Sequence, residues 1–221
     1  SDNVKIGDIA NLALSNELAF RVEFESYQPK TSAMYWRAIV LEDFDGISWQ
    51  RNERVSQREY APSNYDGAFR YTVFVEPNHQ SWLFGLDVAW LVEGGKGKNL
   101  SDYTMLSKSK IRNTMTYQVT STPNELLDLE LNPRKRRNNL DIPAFSNPRL
   151  TDKGRDLRAK YKDDGALVQA ALQIFNTESY RYTLKPPLIA NNSLDQFYFD
   201  TKAGFCEHYA SSFAYLMRAA G

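Results

Sequence analysis

The chain has 221 residues, with 27 Lys and Arg against 27 Asp and Glu, for no net charge. That balance sets up no global field toward an anionic membrane or toward nucleic acid, which is not an expected partner, and the length allows one or two domains with a real core. A single cysteine, Cys206, excludes an intramolecular disulfide; no apolar run approaches the ~18–20 residues that span a bilayer, and Ser1-Asp2-Asn3 opens no signal-peptide hydrophobic region.

The first half reads as β-structure. Phe20, Val22 and Phe24 alternate with Arg21, Glu23 and Glu25, the period-2 pattern of a half-buried strand. Met34 to Leu41 is nearly all apolar and aromatic, which predicts a central strand covered on both faces. Asp45-Gly46 is a hairpin-turn signal leading into Ile47-Ser48-Trp49. Phe69 to Glu76 gives another strand, with Tyr71, Val73 and Val75 on one side, and Trp82 to Val92 holds one or two more. Gly94-Gly95-Lys96-Gly97-Lys98 lacks the Gly-Lys-Ser/Thr ending of a phosphate loop and reads as a hairpin tip. Ile111, Met115, Tyr117 and Val119 then alternate with Arg112, Thr114, Thr116, Gln118 and Thr120 in a long expected strand. Strands at this spacing predict an antiparallel sandwich or barrel over residues 1–122.

Residues 123–149 are punctuated by Pro123, Pro133, Pro143 and Pro148, and read as a linker. Its basic run, Arg134-Lys135-Arg136-Arg137, is expected to be a solvated face, with contact to anionic lipid head groups as the less common use of such a run. Over 150–221 the period turns helical, so the fold class is α+β. Thr151 or Asp152 is the expected cap of a helix through Tyr161. Leu167, Ala170, Ala171, Ile174 and Phe175 form an i, i+3, i+4, i+7, i+8 stripe. Tyr180 to Leu184 reads as extended, and Ser193 as the cap of a short helix through Phe199. Thr201 to Phe205 forms the loop that delivers Cys206, with Gly204 permitting a tight turn.

Cys206 stands where that loop becomes an amphipathic helix. Tyr209, Ala210, Phe213, Leu216, Met217 and Ala220 share one expected apolar face. Free N–H groups and the positive end of the helix dipole favour a thiolate at this point, and the Cys206 N–H is a candidate oxyanion donor. A lone cysteine is more commonly a small buried hydrophobe. Phe197, Tyr198, Phe199 and Phe205 are candidates for lining an acyl groove, although such a cluster more often belongs to the core. His208 follows Cys206 by two residues, which on a helix points the pair to different sides, so it is a candidate rim residue rather than a base. The other histidine, His79, sits in the turn-like Glu76-Pro77-Asn78-His79-Gln80 and is an equally poor candidate base. No His/Cys/Asp/Glu cluster has ligand spacing, so neither metal nor organic cofactor is expected.

Gly204-Phe205-Cys206-Glu207-His208-Tyr209-Ala210 resembles the nucleophile segment of transglutaminase-like cysteine enzymes. Arg181-Tyr182-Thr183-Leu184-Lys185-Pro186-Pro187-Leu188 and Asp195-Gln196-Phe197-Tyr198-Phe199-Asp200 are similar to the bacterial, membrane-anchored branch of that family. Tyr35-Trp36-Arg37-Ala38 and Asp43-Phe44-Asp45-Gly46-Ile47-Ser48-Trp49 resemble the domain that precedes its catalytic core. The resemblance implies the helical half of a papain-like transglutaminase core after the β-domain. It also implies a periplasmic location, or the extracytoplasmic face of the inner membrane, with membrane attachment through segments outside this chain. The implied chemistry is acyl transfer from a Gln-type carboxamide of a protein or peptide through a thioester on Cys206, which is catalytic, with Phe205, His208 and Tyr198 as candidate substrate-binding residues. It further implies a Cys-His-Asp triad whose His and Asp segments are expected after Gly221. The chain is thus expected to be an excised piece carrying half a site and inactive alone. A cysteine peptidase or amidase of the same superfamily, and a non-catalytic cell-envelope scaffold, are the alternative expectations. Without the sheet that carries His and Asp, the 206–220 helix face is expected to pack on the 164–177 helix or the β-domain, with self-association covering any remainder.

Overall fold

The structure, a computed structural model, describes residues 3–5, 17–25, 27–52, 55–58, 67–92, 97–122, 127–187 and 192–221. The chain divides into two compact units. The described residues of the first lie within 17–40 and 51–130; those of the second are 3–5, 41–50, 131–187 and 192–221.

The first unit is built on a four-stranded antiparallel sheet in the order Phe20–Phe24, Phe69–Val75, Met115–Thr122, Val88–Leu91. Alternation places Tyr71, Val73 and Val75 opposite Val119, Tyr117 and Met115, and all but the last are buried. Buried phenols need partners. The Tyr71 hydroxyl sits 2.8 Å from Ser121 Oγ and accepts the Leu86 N–H, while the Tyr117 hydroxyl accepts the Phe84 N–H and donates to the Phe84 carbonyl. Burial pushes the Tyr71 pKa up to about 12 and raises that of Tyr117 as well. The segment 82–91 forms three short strands. Residues 93–96 of the expected hairpin tip lie outside the described residues, and Gly97 opens the strand Gly97–Asn99.

The run from Met34 to Leu41 corrects one expectation. Only Trp36–Arg37 is a strand, pairing with Gly85–Leu86, and Tyr35 is 63 % exposed. Apolar content without a partner strand on each side does not make a central strand.

The second unit is helical, and the hairpin from 41–50 belongs to it. Strands Asp43–Phe44 and Ser48–Gln50 join through a turn in which Gly46 has φ +102° and the Asp45 carboxylate accepts the Ile47 and Ser48 N–H groups. Asn3–Lys5 pairs with Ser48–Gln50. Phe44 stacks on Trp49 and meets the Tyr215 ring edge-on, so hairpin and helices share one core. The β-rich stretch expected over 1–122 is therefore interrupted by a segment that packs with the helices.

Among the described residues five helices follow: α1 Pro133–Leu140, α2 Pro148–Lys160, α3 Asp164–Thr177, α4 Ser193–Asp195, which runs on as the wider turn Gln196–Thr201, and α5 Cys206–Ala220. α1 lies inside the expected linker. Asn132 caps it, Pro133 opens it, and it buries no residue, so no apolar period announced it. α3 follows expectation, capped by Asp163 with Leu167 and Ala171 inward.

α2 starts earlier than Thr151 because its cap comes from far along the chain. The buried Asp195 carboxylate accepts the Arg149 and Leu150 N–H groups at 3.0 and 2.8 Å. Asn147, held at φ +43°, returns the favour: its Oδ1 accepts the Leu194 and Asp195 N–H groups, both at 3.1 Å. Two helix starts thus cap each other across more than forty residues.

α5 is rotated from its expected face. Glu207, His208, Ser211, Ser212, Tyr215, Leu216 and Ala220 are buried, whereas Tyr209, Phe213 and Met217 are only half-buried and Ala210 is exposed. The main cover is α2, not the 164–177 helix. A Cβ on Gly154 of α2 would stand 2.6 Å from Ala219 Cβ and 2.9 Å from the Leu216 carbonyl, so the two helices touch backbone to backbone. Gly154 and Ala219 permit a closer approach than the large apolar residues the pattern favoured.

Candidate active site

Cys206 is the first residue of α5, and its side chain is exposed. Ala203–Gly204 pairs in parallel with Arg181–Tyr182, which fixes the approach: the Arg181 N–H donates to the Lys202 carbonyl and the Thr183 N–H to the Gly204 carbonyl. A Cβ on Gly204 would lie 2.7–2.9 Å from His208 and Phe197 atoms, so only glycine fits here. Phe205 then takes an extended conformation at the N-cap, and the helix begins.

His208 closes this start. Its Nδ1 accepts the Phe205 N–H at 3.5 Å, reaching back as the acidic member of a capping box does, and its own N–H donates to the Phe205 carbonyl. The ring is buried between Phe197 and Phe205, and burial holds its pKa below 6.5, in the neutral form. His208 thus supports the turn from beneath while Cys206 faces out. His79 belongs to the other unit, in a turn with φ +58°.

Of the expected groove, Phe205, Phe197 and Tyr198 are 0–3 % exposed. Their rings pack with Phe175, Tyr180 and Tyr209, and Phe199 lies under the Arg149 guanidinium. Burial drives the pKa values of Tyr180 and Tyr198 upward, so neither phenol ionises near neutral pH. Tyr198, Phe205 and His208 present no open surface here. Beside the Cys206 turn, in strand register and along α5, stand two tyrosines that the expected groove left out. Tyr182, 60 % exposed and opposite Gly204 in the strand register, stacks at 6.4 Å on Tyr209, which sits one helical turn after Cys206. The signal was present in Arg181-Tyr182 as an extended pair, but its register against 203–204 is a long-range fact.

Among the described residues no acceptor engages the Cys206 N–H, so a donor and a thiol stand together at a helix start. That arrangement suits attack on a carbonyl with stabilisation of the oxyanion. No group of three or more His, Cys, Asp or Glu among the described residues is placed to hold a metal ion.

An exposed thiol opening a helix, in a chain whose first half is antiparallel and β-rich, is the arrangement expected of the transglutaminase-like class. Residues 152–221 match the family model of the transglutaminase-like superfamily, and residues 1–128 match that of the TgpA N-terminal domain. The chain belongs to the TgpA family. It is 40 % identical over 222 residues to a protein-glutamine gamma-glutamyltransferase of Pseudomonas aeruginosa, with all of this chain covered and 33 % of that protein. It therefore spans about a third of the length of that relative. Crystal structures of the periplasmic domain of TgpA from Pseudomonas aeruginosa match at TM-scores of 0.91 and, bound to ethylmercury, 0.90. Both are 39 % identical, covering all of this chain and 77 % and 78 % of theirs. The chain is an extracytoplasmic domain, and no helix among its described residues is long and apolar enough to cross a membrane.

Proposed function

We propose that Cys206 is the nucleophile of acyl transfer from a glutamine carboxamide, forming a γ-glutamyl thioester that an amine resolves. The observation that carries this reading is the exposed thiol at the first position of α5, beside its own unengaged N–H. Attack forms the Sγ–C bond, the Cys206 N–H receives the oxyanion, and ammonia leaves as the tetrahedral intermediate collapses. An amine then attacks the thioester and releases the thiolate. Tyr182 and Tyr209 form the aromatic wall along which the donor side chain lies. Phe205 and His208 act from beneath the Cys206 turn, and Tyr198 backs the wall through Tyr180, which packs on Tyr209.

Ammonia departure needs a proton donor, and thiol activation a base. His208 serves neither role, being buried, neutral and turned away from the thiol. On this reading the His and Asp of a Cys-His-Asp triad come from outside these 221 residues, and the chain by itself binds and reacts but does not turn over. The substrates are proteins or peptides, and the match to an ethylmercury-bound relative is in keeping with a reachable thiol.

Mixing the chain with a glutamine-donor peptide and a primary amine tests this reading. It predicts stoichiometric mercuration and alkylation, lost in Cys206→Ala, with negligible amine incorporation. Sustained amine incorporation by this chain, abolished in Cys206→Ala, would overturn the incomplete triad; a folded thiol that resists both reagents would overturn the nucleophile. Acyl release to water rather than to amine would reassign the enzyme as an amidase.

A further inference from the structure

Residues 131–148 carry a surface that the acyl-transfer reading does not use. α1 places Arg134, Lys135, Arg136 and Arg137 on eight residues with no acidic side chain, in a chain whose charges cancel overall. Arg134, Arg136 and Arg137 are exposed, and their guanidinium groups make no ion pair among the described residues. Leu131, just before the helix, is 42 % exposed. Just after it Phe145 is 98 % exposed, with φ +64°, a conformation an aromatic residue rarely adopts.

The turn that displays Phe145 is firmly held. The Ser146 N–H donates to the Pro143 carbonyl, the Ser146 carbonyl accepts the buried Tyr215 hydroxyl, and Asn147 joins the reciprocal caps. The hairpin tip leans on the same turn, since a Cβ on Gly46 would lie 3.4 Å from Ser146 Oγ, and its Ile47 is 63 % exposed. Arg218 ties these pieces together by donating to the Asp141 and Glu42 carbonyls. Two apolar tips thus stand on a braced base beside a cationic helix.

We propose that this surface docks on an anionic phospholipid bilayer, with the α1 arginines on head groups and Phe145 and Ile47 entering the interface. Charge complementarity names the partner: three unpaired guanidinium groups within four residues suit a sheet of phosphate charges. A ring standing 98 % clear of its own protein enters a fluid interface without a preformed pocket, whereas an acidic protein would have to supply one. The surface is independent of Cys206, so it stands or falls apart from the acyl-transfer reading.

Co-sedimentation of the chain with phosphatidylcholine vesicles, with and without phosphatidylglycerol, tests it. The expected result is binding to the phosphatidylglycerol vesicles alone, weakening as salt rises. Replacing Arg134, Arg136 and Arg137 by Gln should lower the partition coefficient roughly tenfold to hundredfold. Phe145→Ser should lower it several-fold while leaving the salt dependence unchanged. α1 buries nothing, so the arginine variant keeps its fold, which circular dichroism checks. Absence of binding, equal binding to neutral vesicles, or an arginine variant that binds like the parent would overturn the proposal. Capture by polyglutamate but not by vesicles would also overturn it and reassign the surface to an acidic polypeptide.

Discussion

The two units solve the problem of buried polar groups in different ways. In the β unit the partners are near neighbours in the sheet: Tyr71 reaches Ser121, and the two lie on adjacent strands in adjacent register. In the helical unit separations of similar size are bridged with no strand pairing to bring the partners together. Asp195 caps α2, Asn147 caps α4, and Tyr215 holds the Ser146 carbonyl, each across 45 residues or more. A sheet supplies backbone partners as it forms; a helix start must find its acceptors elsewhere. The helical unit, which carries Cys206, thus depends on fewer and more consequential side chains.

That contrast is open to direct attack. Asp195→Ala should give the largest loss, about 3 kcal/mol, because it strands two N–H groups at a buried helix start. Denaturant titration followed by helix signal reads it, and a loss under about 1 kcal/mol would break the contrast. Gly154→Ala should come next. Alanine is the better helix former, but its methyl collides with α5, so a net loss of about 2 kcal/mol is expected in the same titration. A stabilised variant would show that α2 and α5 are not in backbone contact. Tyr71→Phe in the β unit removes one hydroxyl with two partners and should cost about 1–2 kcal/mol.

The smallest effect concerns acid. His208 is buried neutral with its pKa below 6.5, so the folded chain binds fewer protons than the unfolded chain between those two values. Its contribution is complete above pH 6.5 and falls away as pH drops toward the folded pKa, at no more than about 1.4 kcal/mol per pH unit. Comparing stability against pH for the parent and His208→Gln, whose amide can still accept the Phe205 N–H, reads this slope. An unchanged slope would show that His208 is not the group responsible.

Legibility followed the same divide. Period-2 alternation located the strands at 20–24, 69–75 and 115–122, because a sheet face is written in consecutive residues. The Asp45-Gly46 turn was legible for the same local reason. The packing of Phe44 and Trp49 with the helices, the mutual capping of α2 and α4, and the pairing of Tyr182 with Gly204 are long-range events, and no local pattern encodes them. α1 escaped because it has no apolar stripe, and the α5 face was misjudged because its close approach to α2 runs through Gly154, Ala219 and the Leu216 backbone. At the site, Cys206 at a helix start was readable, whereas burial of Tyr198, Phe205 and His208 beneath it required the fold.

The most direct test supplies an activated acyl donor, so that no proton need reach a leaving ammonia. Offered an aryl thioester of a γ-glutamyl peptide, the Cys206 thiolate should displace the aryl thiolate and keep the acyl group. The account predicts one acyl adduct on the folded chain by intact mass, absent in Cys206→Ala and discharged by an added amine. An adduct that appears only after the chain is unfolded would contradict it.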